Sequence, residues 1–274
     1  MKGNIMDLRS EFDAAIRESL EYTGHLNKNR PDGKYYEDAY AQPIRDYFES
    51  KKRKSYELNY SEKYKCTPIC ALASSGRLCY LHFRYKEGAE FETALSNGIC
   101  ASRPTYMDAV IGDTYYECKC QEILYKSHSP LRRSYLESEL FKKFEVKNYT
   151  INNENLVFDV RKLNIKMKGD NDYARLHFDL KQLICHLIAI ANNNNNTQKV
   201  LQYVFFKPNR EVIKKYPRVE KLYEELDAEI KAICASDTAI SKFAEKHYIN
   251  IAEPVFIELK DVKDFVYEDL YLNN

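Results

Sequence analysis

Apolar residues recur along this chain with two different periods, and the switches between them mark out its elements. Leu8, Phe12, Ala15, Ile16 and Leu20 fall at helical spacing, which predicts an amphipathic helix over Met6 to Tyr22 with Asp7 as its N-cap. Tyr40, Ile44, Tyr47 and Phe48 predict a second helix over Tyr36 to Lys52. Leu78 to Tyr85 reads as an apolar strand or a buried helix end. Phe91, Ala94 and Leu95 return to helical spacing and predict a helix over Ala89 to Ser96, closed by Asn97-Gly98. The period then falls to two. β-Branched and aromatic residues flank Gly112-Asp113, and a Gly-first pair is the sequence of a type II′ turn, so an antiparallel hairpin is expected.

Beyond the hairpin, Leu136, Leu140, Phe141 and Phe144 predict a helix over Arg132 to Phe144. Leu156 to Lys168 alternates basic and apolar residues, as a loop or an edge strand does. The strongest helix is Phe178 to Ala191, where Leu180, Leu183, Ile184, Leu187, Ile188 and Ala191 make one apolar face. Asn192 to Asn196 form a polar loop. Val200 to Phe206 is a short strand of the buried kind. Val219 to Ile233 reads as a long helix, Ala239 to His247 as a short one, and Val255 to Leu259 as a last strand or extended piece. No internal repeat is visible.

At 274 residues the chain is long enough for one large domain, or one domain with an appendage. We read residues 1–65 as an N-terminal helical extension and 66–274 as the main domain. The formal net charge of +1 rules out a polyanion site built on bulk charge, so any such site is a local patch. One candidate is Lys51-Lys52-Arg53-Lys54 followed by Tyr56, Tyr60 and Tyr64, which fits phosphate contact and base stacking, although a solvated helix end is the favoured reading. There is no apolar run of about 18 residues, and Met1-Lys2-Gly3-Asn4 lacks the apolar core of a signal sequence. The expectation is a cytoplasmic protein without a membrane partner, with its eight cysteines reduced. Cys66, Cys70 and Cys79 raise a zinc question but have no matching fourth ligand pair. Cys118 and Cys120 should point into the core. Neither has a recognisable His partner, so a cysteine-based enzyme is the weakest function class.

The hairpin carries the chemistry. With Ile111 facing Thr114, counting outward places Asp108 directly opposite Glu117 on one face of the sheet, and Lys119 lies on that face two residues on. Two carboxylates about 5 Å apart at an effective dielectric near 20 repel by about 3 kcal/mol, so the pair calls for a cation. Lys119 supplies one positive charge, and a divalent ion held by oxygen would supply two. A surface hairpin with a Glu/Lys i, i+2 pair is the plainer reading of the same residues. On the strong helix, Gln182 and His186 sit one turn apart and can face one neighbouring groove.

From Leu78 onward the order is an acidic helix, a hairpin, a third strand of unassigned position, a Gln-bearing helix and a buried strand. With Asp108 and Glu117-Cys118-Lys119 on the hairpin, the chain resembles the PD-(D/E)xK nuclease superfamily over about residues 70 to 206. That resemblance implies an α/β protein with a restriction-endonuclease-like αβββαβ core: a mixed β-sheet flanked by helices, with the N-terminal extension and C-terminal helices added. Asp108 matches the family Asp, and Glu117-Cys118-Lys119 matches Glu-x-Lys. Glu92, or alternatively Glu90, would be the acid of the first core helix. Gln182 matches a Gln that some subfamilies pair with a Tyr four residues on, where this chain has His186. Met107 stands where many members have Pro.

The implied activity is Mg²⁺-dependent hydrolysis of DNA phosphodiester bonds by an endonuclease of restriction or related type, with Mn²⁺ able to substitute. Asp108, Glu117 and Glu92 would hold the metal, while Lys119 would orient or activate water. Double-strand cleavage from one site per chain would call for a homodimer. The alternative is a catalytically inactive nuclease-fold module that binds nucleic acid or serves a structural role, which the near-neutral charge keeps open.

Overall fold

Side-chain caps set where the helices begin in the computed structural model, which describes residues 7–20, 34–36, 41–51, 58–59, 67–99, 103–124, 139, 149–151, 156–159, 164–167, 176–235 and 238–262. Asp7 accepts the Ser10 N–H at 2.8 Å and starts α1 (Leu8–Ser19). Helix α2 (Gln42–Ser50) begins with a proline in its first turn. Ser74 accepts the Arg77 N–H at 3.1 Å and starts α3 (Ser75–Phe83). Asp179 accepts the Gln182 N–H at 3.0 Å and starts α4 (Leu180–Asn193). Each acceptor satisfies one of the N–H groups that a first turn leaves open. Three later helices are α5 (Arg210–Ile213), α6 (Pro217–Ile233) and α7 (Ala239–Lys246).

The strands are β1 (Glu90–Leu95), β2 (Thr105–Ile111), β3 (Thr114–Lys119), β4 (Tyr149–Ile151), β5 (Leu156–Asp159), β6 (Asn164–Met167), β7 (Lys199–Lys207), β8 (Ile249–Ile251) and β9 (Val255–Glu258). Six of them form one sheet in the order β1-β2-β3-β7-β8, with β9 also on β7. The pairs β1–β2 and β2–β3 are antiparallel, whereas β7 runs parallel to β3, β8 and β9. The fold is therefore α/β, a mixed six-stranded sheet flanked by helices. Strands β4 to β6 make a separate antiparallel sheet.

The helices cover opposite faces of the sheet. On one, Phe83 of α3 packs its ring 4.5 Å from that of Tyr116. On the other, α4 reaches the intervening residue, Glu117. Buried residues of α1 and α2, including Phe12, Ile16, Ile44 and Phe48, belong to the same core cluster as Leu183, Leu187, Phe205 and Phe206.

Just past β7, Asn209 joins three distant segments. Its N–H donates to Ser19 Oγ at 2.9 Å, its Nδ2 donates to the Ser19 carbonyl at 3.0 Å, and its Oδ1 accepts the Lys260 N–H at 2.9 Å. No helix among the described residues is long and apolar enough to cross a membrane.

One expectation changes. The stretch Ala89 to Ser96 is not a helix; it contains the edge strand β1. Phe91 and Leu95 are both buried, as helical spacing requires, but they are also two strand steps of two apart, and pairing with β2 satisfies the backbone. The run Leu78 to Tyr85, read as a strand or a buried helix end, is largely helical, within α3. Leu156 to Lys168 contains the antiparallel pair β5 and β6. The expected helix over Arg132 to Phe144, the basic run beyond Lys51 with Tyr56, Tyr60 and Tyr64, and Cys66 lie outside the described residues, save Glu139.

Candidate active site

The β2–β3 hairpin turns on Gly112, whose φ of +56° is the positive value that the first loop position of a II′ turn needs. A Cβ there would meet nothing within 4 Å, so conformation rather than space selects glycine. Pairing runs Ile111 to Thr114, Val110 to Tyr115 and Ala109 to Tyr116. One step further along this register, Asp108 lies across from Glu117. Its Oδ2 accepts the Cys118 N–H at 2.7 Å, which holds the carboxylate against the neighbouring strand. On the far side of β3, the parallel register sets Tyr203 of β7 beside Glu117. Asp108, Glu117 and Tyr203 thus form a row across three strands.

Helix α4 closes over this row. Glu117 is 1% exposed, and its Oε1 accepts from both Lys119 Nζ and Gln182 Nε2, the latter at 2.6 Å. Its Oε2 is buried without a hydrogen-bond partner. His186 Nε2 lies 3.4 Å from that oxygen, and His186 Nδ1 lies 3.1 Å from the Tyr203 hydroxyl. Glu122, just past β3, accepts the Cys120 N–H at 2.9 Å and the Ser75 hydroxyl at 2.6 Å, tying the strand end to α3.

The charges feel each other strongly. Burial, and then the Glu117 charge, push the Asp108 carboxyl well above the usual carboxylate range, against the pull of Lys119 and the Cys118 N–H. Burial also raises Glu117, again opposed by Lys119. For Lys119, burial works against the charge, but Glu117, Asp108 and Glu122 outweigh it and hold the ammonium protonated. Burial and then Lys119 lower His186 to about 3, so its ring is neutral near pH 7. Burial keeps the proton on the Tyr203 phenol.

The expected helix acid is a correction at the site. Helix α3 carries no Asp or Glu. Glu92 sits instead on β1, where pairing of Phe91 with Ala109 and Thr93 with Met107 sets it across from Asp108. Its φ of +46° lies in the left-handed region, a conformation costly for a side chain of this kind. Glu90 is exposed at the strand's start. Among the described residues, no group of three or more His, Cys, Asp and Glu side chains is placed to hold a metal ion. Asp108 and Glu117 nonetheless fit a hard divalent cation. Their oxygens suit it, one of those oxygens is buried without a donor, and Mg²⁺ commonly binds through one or two carboxylates with water completing its shell.

Cys118 and Cys120 are fully buried on the opposite face, and burial raises both thiols well above their ordinary value. They are poor nucleophiles there. Tyr203 was not among the residues expected at the site. Its signal was a phenol in the middle of the apolar strand Val200 to Phe206, because a buried hydroxyl needs a partner.

No protein-family model, no curated protein and no solved structure matches this chain.

Proposed function

We propose that this chain is a divalent-metal-dependent nuclease of the PD-(D/E)xK type that hydrolyses DNA. Support comes first from the order α3-β1-β2-β3-α4-β7 among the main-sheet elements, an αβββαβ arrangement with β7 parallel to β3 and the separate β4–β6 sheet inserted between β3 and α4. The observation that carries the reading is the site itself: Asp108 across from Glu117 on paired strands, with Lys119 and Gln182 both donating to Glu117 Oε1. Asp108 and Glu117 would hold the metal, Mg²⁺ or Mn²⁺. Such an ion acidifies a bound water and offsets negative charge on a phosphate.

The roles of the protein groups follow from their protonation. Lys119 remains an ammonium beside Glu117, so it donates and carries charge and does not take a proton. It would orient the attacking water and neutralise a phosphate oxygen. Gln182 fixes the plane of the Glu117 carboxylate by occupying one oxygen. Asp108, tied to the Cys118 N–H through Oδ2, presents its other oxygen.

The test is incubation with supercoiled plasmid, linear duplex and single-stranded DNA, with and without Mg²⁺, alongside Lys119→Ala. Metal-dependent cleavage by the wild type and its loss in the variant are expected. Full cleavage by Lys119→Ala removes the proposal. One observation favours a second reading, an inactive nucleic-acid-binding module: Lys119 and Gln182 already satisfy Glu117 Oε1 without a metal. A calorimetric Mn²⁺ titration separates the two, because the inactive module should take up no ion.

A further inference from the structure

The proposed chemistry leaves one buried group of the site without a role. His186 lies one helical turn after Gln182, 1% exposed, between Glu117 and Tyr203. A neutral imidazole carries one N–H, and the two ways of placing it differ at Glu117. With the proton on Nδ1, the Nε2 lone pair faces a carboxylate oxygen, and two electron-rich atoms oppose each other away from water. With the proton on Nε2, an N–H faces Oε2, and the Tyr203 O–H donates to Nδ1. A donor then faces the carboxylate and the Tyr203 proton faces a lone pair, the arrangement that suits a low-dielectric interior.

The length of the contact matters as much as its direction. At 3.4 Å the Nε2 to Oε2 separation is longer than a formed hydrogen bond, and Oε2 has no other donor. The ring therefore biases where that oxygen points without occupying its lone pairs. Lys119 and Gln182 restrain Oε1, so the carboxylate is oriented from both ends, with Oε2 left available.

We propose that His186, held in its Nε2–H tautomer by Tyr203, is a positioning residue that aims Glu117 Oε2 at a divalent cation on the Asp108–Glu117 pair. The cation rests on the nuclease reading; the tautomer and the aim of the carboxylate do not.

Two measurements test this. Long-range nitrogen–proton NMR of the histidine-labelled protein should show His186 neutral with its proton on Nε2 at pH 7, and Tyr203→Phe should shift the ring toward the other tautomer. A wild-type ring protonated on Nδ1 overturns the proposal. Mn²⁺ titration followed by electron paramagnetic resonance should show binding weakened about tenfold in His186→Leu, which keeps bulk but has no donor. His186→Gln, whose amide reaches about as far as Nε2, should come within about threefold of wild type. Wild-type affinity in the Leu variant, or equal losses in both variants with thermal unfolding unchanged, also overturns it. Should the wild type bind no Mn²⁺, the nuclease reading fails alone, and the NMR result still decides the positioning.

Discussion

The two faces of β3 are built on opposite principles within one six-residue strand. Toward α3 it presents Tyr116 and Cys118, which meet Phe83 and Cys79. Toward α4 it presents Glu117 and Lys119, with Asp108, His186 and Tyr203 around them. The first face follows the ordinary rule for a core, that apolar atoms leave water together. The second breaks it, since burial raises both carboxyls and they repel each other. Such departures from consistent packing are where function is expected. The difference also separates what packs the strand in place from what the proposed chemistry would use.

Substitutions on each face should therefore fail in different ways. The largest effect is expected from Glu117→Gln, which keeps the shape and removes the charge. Mg²⁺-dependent cleavage should fall by about a thousandfold, equivalent to about 4 kcal/mol of barrier, while circular dichroism still reports a folded protein. Phe83→Ala on the other face should do the reverse. Urea unfolding should show about 3–5 kcal/mol lost, with the Mn²⁺ affinity of the folded fraction unchanged. Cys118→Ala should cost only about 1 kcal/mol in the same assay, because a single small group is lost. A thiol reagent at pH 8 should leave Cys79, Cys118 and Cys120 unlabelled until the protein unfolds.

A change of pH offers the smallest and most selective perturbation. The folded-state value of Asp108 is raised above its ordinary 3.8, so protonation favours the folded state. That contribution is fully present below about pH 3.8 and is lost as the pH climbs through the raised folded value. Asp108→Asn cannot ionise. In metal-free buffer, the stability of wild type relative to this variant should decline from pH 4 toward neutrality, as read by urea unfolding at each pH. Lys119 stays charged throughout this window, whereas Glu117, whose carboxyl burial also raises, titrates in both proteins, so only the difference between them is read. A difference that rises with pH would mean that Asp108 is stabilised as an anion.

Legibility in the sequence followed the range of the contacts. The hairpin was readable because Gly112-Asp113 sets its own register, and that register alone puts Asp108 across from Glu117. Helix α4 was readable from an apolar face with little interruption, which also carried Gln182 and His186 to one side. Strand β1 was not, because Phe91 and Leu95 satisfy both periods and only pairing with β2 chooses between them. The expected helix acid failed with it, leaving Glu92 on a strand at a left-handed φ. Tyr203 was hidden for a different reason. Its place beside Glu117 depends on a parallel pairing across a long stretch of chain, and no local pattern records that.

The Asn209 junction bears on that pairing in a way that has nothing to do with charge. A strand has a period of two, so a slip of one residue in β7 would turn Tyr203 to the α3 side and bring a neighbour under His186. Asn209 stands just beyond the end of β7, pinned by Ser19 from the chain's beginning and by Lys260 from near the opposite end. It acts as a peg for the strand's phase. Helix α1, through Ser19, thereby helps decide which side of the sheet receives the phenol.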